Sequence, residues 1–133
     1  MCGIIAVLRR RSDRTPPSSA SLLELFDSGV TELLATTPAT MAATTDTVAA
    51  RIEEADRLLR GTPGARALLA DRALPDTIDG MVDDHLAALA KREAELDQEP
   101  VDPASLEVVN AAVIRLKDAL WAVQRDRLRT ARA

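Results

Sequence analysis

A chain of 133 residues, 47% of them hydrophobic, has enough apolar surface for one domain with its own core. Phe26 and Trp121 are its only aromatic residues and tyrosine is absent, so the core must be aliphatic and almost nothing remains on which to stack the bases of a single strand. The net charge of −4 is unevenly spread, with four Arg against one Asp in 1–14, seven bases against sixteen acids in 15–100, and six against four in 101–133; such an acidic middle is not drawn to nucleic-acid phosphates.

The run Gly3-Ile-Ile-Ala-Val-Leu8 is short, β-branched and uninterrupted, and predicts a strand buried on both faces. It is too short for the core of a signal peptide, and nothing else approaches a membrane span. The single Cys cannot close an internal disulfide, so a cytoplasmic protein is expected. No other strand is predicted. The backbone groups of 3–8 must therefore pair with something outside this sequence, stay loose, or be taken up as helix.

Residues 9–18 follow as a linker, with Arg9, Arg10, Arg11 and Arg14 as a solvated basic run beside the adjacent Pro16 and Pro17. From Ser19 or Ala20 the period becomes helical. Leu22, Leu23, Phe26, Val30, Leu33 and Leu34 mark a first helix ending near Thr36, before Pro38. A second covers about 39–60 with Met41, Val48, Ile52, Ala55 and Leu59 inward, and ends at Gly61 as a residue able to take positive φ. Thr62-Pro63 is read as the N-cap and first turn of a short third helix holding Ala67, Leu68 and Leu69, and Pro75 as the break after it.

A fourth helix is expected over 76–96, with Gly80 weakening its start and His85 at the border of its apolar face. Asp102-Pro103 then opens a last helix, in which Leu106, Val109, Val113, Leu116, Leu120 and Val123 form a 3-4-3-4 bundle or coiled-coil seam. Trp121 is expected to be a packing or seam residue, with a role at an interface as the alternative. Arg125, Arg127, Arg129 and Arg132 crowd the end of the helix, where they suit its dipole.

One position carries a chemical signature. Met1-Cys2-Gly3-Ile4-Ile5 resembles the start of the class II glutamine amidotransferases, which are N-terminal nucleophile hydrolases. The resemblance implies removal of Met1, leaving a thiol and a free α-amine on Cys2; an amine of pKa about 7.7–8.0 is a base suited to neutral pH. It further implies that Cys2 attacks the side-chain amide of glutamine, forms a thioester and releases ammonia to a separate synthase domain. The glucosamine-6-phosphate synthase-like branch, with its sugar isomerase domain, is favoured; the asparagine synthetase and phosphoribosyl-amine branches share the same start. No cofactor is implied.

The family's Arg-Gly-x-Asp-Ser and Asn-Gly motifs do not occur in the chain. The expected architecture is therefore mainly α, with one short N-terminal strand and a bundle of four to five helices. In this reading 1–8 is the first strand and nucleophile, 9–18 the linker, and 19–133 a helical block inserted in an incomplete α/β amidotransferase domain. The chain alone is then inactive, with the rest of that domain and the isomerase-like domain as its partners and substrate-binding residues elsewhere. The alternative is a stand-alone helical interaction module whose last helix self-associates through Leu106 to Val123. His85, with no second His or Cys at ligand spacing, predicts no metal site, and nothing in the spacing brings it to Cys2.

Overall fold

A computed structural model describes residues 14–132, and all its regular elements are helical. The expected strand 3–8 and Cys2 lie outside the described residues. The helices are α1 (Ser19–Asp27), α2 (Gly29–Leu34), α3 (Met41–Leu58), α4 (Gly61–Ala70), α5 (Leu74–Leu96) and α6 (Pro103–Trp121). The last of these runs on through a π-helical stretch, Ala122–Leu128, into α7 (Arg129–Arg132). The predicted array of helices is thus present, with its first member broken and its last one locally widened. No described helix is long and apolar enough to cross a membrane.

Side-chain caps explain where α1 and α6 begin. The Ser18 hydroxyl accepts from the Ser21 N–H at 3.1 Å and the Asp102 carboxylate accepts from the Ser105 N–H at 3.0 Å, each supplying a partner for an amide that the helix itself leaves open. Those bonds from Ser105 also hold the Asp102 carboxyl below the usual carboxylate range. Two predicted boundaries are corrected. Helix α4 is entered at Gly61, φ 69°, with no side-chain cap, so Thr62 lies inside the helix. Pro75 is not a break but part of the first turn of α5, where its missing N–H costs no helical hydrogen bond.

In cross-section, α3 packs most extensively on α6, α5 also packs on α6, and the α1–α2 pair closes the bundle against α3 and α5. Helix α4 lies at one end, against α7. The core between them is aliphatic apart from Phe26 and His85: Leu22, Leu33, Met41, Val48, Ile52, Ile78, Val82, Leu89, Leu116, Leu120 and Val123 are all 1% exposed or less. Burying side chains of this size contributes about 1.5–3 kcal/mol each. The stripe Val109, Val113, Leu116, Leu120, Val123 is therefore consumed inside the chain, mainly against α3. It is not available for the self-association expected of it.

The charge asymmetry of the sequence becomes complementarity between the last helix and the rest. Arg115 of α6 bonds Glu53 and Asp46 of α3 at 2.5 and 3.3 Å. Lys117 bonds Glu93 of α5 at 3.0 Å, and Arg127 bonds Asp56 of α3 at 2.8 Å. Arg14, at the end of the basic run, donates to the Arg57 carbonyl oxygen at 2.7 Å and also to that of Arg60. These are carbonyls at the α3 C-terminus, which a helix leaves without internal donors.

Candidate functional site

The strongest chemical candidate of the sequence, Cys2, falls outside the described residues. Among those residues the polar groups that the fold buries are Thr36, Thr45, Asp56 and His85.

His85 is fully buried on α5 rather than at the border of an apolar face. It packs edge-on against Phe26 of α1, with ring centroids 6.1 Å apart and planes at 88°. Its Nδ1 is 2.6 Å from the Met81 carbonyl oxygen one turn earlier. A carbonyl only accepts, so Nδ1 carries the proton and the neutral ring presents a lone pair at Nε2. That Nε2 is buried with no hydrogen-bond partner among the described residues. Burial pushes the imidazole pKa below the ordinary histidine value, with the Met81 bond and the charge of Asp84 pulling the other way.

Gly29 is what lets His85 occupy this place. A Cβ at position 29 would fall 2.2 Å from Nε2 and 2.9 Å from Cδ2 of His85, and 3.2 Å from Cγ1 of Val48. The first predicted helix accordingly does not run unbroken to Thr36: it stops at Asp27 and restarts at Gly29, with Ser28 as the joint. The Ser28-Gly29 pair was the sequence signal for that joint, and a purely apolar periodicity passes over it. Beside this joint lies a groove of about 410 Å³ between α1–α2 and α5, walled by Phe26, Val30, Leu34, Met81 and Ala88, with Asp27, Asp84 and Lys91 also lining it.

A second polar centre is anchored by Asp56 of α3. It accepts from Arg127 at 2.8 Å and from Arg60 at 2.8 Å, while only 7% of its side chain is exposed. Burial pushes its carboxyl upward, but the bonds and charges of Arg127 and Arg60 outweigh that and hold the pKa below the ordinary aspartate value. Periodicity did not single out Asp56; as one more acid on an acidic helix it gave no sign of facing inward.

His85 lines the groove between α1–α2 and α5, but its Nε2 lone pair is buried beneath Gly29 and meets no partner among the described residues. Both Asp56 oxygens are engaged by guanidinium groups, which makes it an anchor for the last helix. No group of three His, Cys, Asp or Glu residues among those described is placed to hold a metal ion. Trp121, predicted in the seam, is instead 37% exposed, with the Arg125 guanidinium carbon 5.4 Å from the ring centroid, a cation–π distance. No protein-family model, curated protein or solved structure matches the chain.

Proposed function

We propose that this chain belongs to a glutamine amidotransferase-like protein in which Cys2 is the nucleophile and residues 19–133 are a helical block inserted beside it. In the proposed reaction the Cys2 Sγ attacks the side-chain amide carbon of glutamine. The C–N bond breaks, ammonia leaves, and water hydrolyses the resulting thioester to glutamate. The α-amine of Cys2 takes the thiol proton and returns one to the leaving nitrogen. The ammonia goes to a sugar phosphate bound by a sugar isomerase-like domain.

The observation that carries this reading is the run Met1-Cys2-Gly3-Ile4-Ile5 with its apolar continuation to Leu8. It is compatible with the fold: residues 14–132 bury a core among themselves, as an inserted block must. A cytoplasmic location belongs to the same proposal, supported by the single cysteine. The test is a glutaminase assay on the full-length protein that contains this chain, beside its Cys2→Ala variant. Loss of glutamine turnover in the variant is expected; undiminished turnover sinks the assignment.

A second reading, a helical interaction module, is favoured by a different observation. The outward side of α6 leaves Val108 and Ile114 each 59% exposed, which is a large fraction for β-branched residues on a helix otherwise well packed. Titration of the isolated chain with itself and with the remainder of its parent protein tests it, and absence of association in both overturns it.

A further inference from the structure

The two sides of α6 have different fates. Its inner stripe is covered by α3 and α5, whereas Glu107, Ala111, Ile114, Asp118, Trp121 and Arg125 are all exposed. Those six succeed one another at steps of four, three, four, three and four residues, the spacing of a single stripe along a helix. The Arg125 guanidinium lies over the Trp121 ring, so these two positions of the stripe stay in contact where the helix enters the π-helical stretch.

We propose that this outer stripe is a homodimer interface in which α6 of one copy lies antiparallel on α6 of a second copy. The charges select that arrangement. A parallel pair would set Glu107 on Glu107, Asp118 on Asp118 and Arg125 on Arg125, all like against like. Among antiparallel registers, which differ by one heptad, one opposes Glu107 to Asp118, and another opposes Trp121 to Asp118 and Ile114 to Arg125. The register that overlaps all six positions pairs Glu107 with Arg125 of the partner subunit, twice by symmetry, and seats each Trp121 over the small Ala111 of the partner subunit. Large against small is how facing helices interdigitate, and a shared two-fold axis is how one patch closes on itself. The same register leaves Asp118 opposite Ile114 of the partner subunit, so the association is a reversible one. It holds whether or not the chain is an amidotransferase.

Sedimentation velocity on the chain across a concentration series tests this, with Glu107→Arg, Arg125→Glu and the double variant beside the unsubstituted protein. A concentration-dependent dimer is expected, weakened about tenfold by either single reversal through two lost pairs and two repulsions. The double reversal is expected to return it to within about threefold of the starting affinity. Both positions are exposed, so the melting temperature serves as a fold control. A chain that stays monomeric up to about 1 mM overturns the proposal. A dimer indifferent to the single reversals, or one that the double reversal fails to restore, overturns this interface and register.

Discussion

Gly29 touches the ring of His85 so closely that a methyl group there would stand 2.2 Å from Nε2, well inside contact distance. Gly29→Ala must therefore displace either the α2 start or an imidazole that is held at Nδ1 by the Met81 carbonyl. We expect a loss of about 2–4 kcal/mol by urea unfolding. In a His85→Ala background the same substitution should cost at least about 1 kcal/mol less, because the atoms in conflict are gone. Equal costs in the two backgrounds would show that the contact is not what makes glycine necessary.

Acid should weaken the fold through the same histidine. Burial depresses the His85 pKa in the folded chain, while the unfolded chain titrates near the ordinary value of about 6.5. The unfolded state thus binds a proton that the native state refuses. The contribution is fully present above about pH 6.5 and is lost as pH falls from there through the folded pKa, with a slope of at most about 1.4 kcal/mol per pH unit. Unfolding free energies at closely spaced pH values from about 7.5 to 5 should show this fall, and His85→Asn, which retains a donor for the Met81 carbonyl, should flatten it. An unchanged slope in the variant would assign the acid sensitivity to other groups.

Asp56 joins α3 to the last helix through Arg127, and its removal leaves a half-buried guanidinium without its main counter-charge. Asp56→Ala is expected to cost about 1.5–3 kcal/mol at neutral pH. The depressed carboxyl pKa fixes how that cost varies with pH. The stabilisation is present above the unfolded value of about 3.9 and disappears as pH falls through the folded one. Chemical unfolding of the two proteins should therefore differ most near neutrality and converge in strong acid. A difference that persists there would point to packing rather than charge.

Three further glycines sort by what surrounds them. At Gly64 a Cβ would meet the Leu59 backbone at 2.0 Å, where α4 turns tightly against the end of α3, and Gly64→Ala should cost about 3 kcal/mol. Gly61 has φ +69° and no atom closer than 3.9 Å to an added Cβ; Gly61→Ala should cost only the backbone strain of about 1–2 kcal/mol. Gly80 has nothing within 4 Å and lies inside α5, so Gly80→Ala should stabilise by about 0.5–1 kcal/mol. Thermal melts of the three variants would give that order, and a destabilised Gly80→Ala would contradict it.

Helix positions and most of the core were legible because the apolar period is strong. Met41, Val48, Ile52, Ala55 and Leu59 were predicted to face inward and are all buried. What escaped was decided by neighbours distant in sequence. Leu34 and Leu69 are 42% and 68% exposed because their helices are short and the bundle covers only part of each. Leu74 and Leu128 are buried beyond the reach of the predicted stripes. Of the candidate site, His85 was noticed but placed too near the surface, since periodicity cannot foresee that a glycine on another helix makes room for a ring. Cys2 was read from a resemblance, which no packing argument on residues 14–132 tests.

The π-helical stretch gives the last helix a property of its own. Buried positions advance by four and three through Leu116, Leu120 and Val123, then by five to Leu128, so the helix holds one residue more than its α-helical phase accommodates. A looser hydrogen-bond ring absorbs the surplus without breaking the rod. Everything from Leu128 onward is rotated relative to a plain continuation of the seam, and α7 is thereby turned toward α4. The molecule fits a stretch of sequence and a groove of unequal length together by changing gear within a helix.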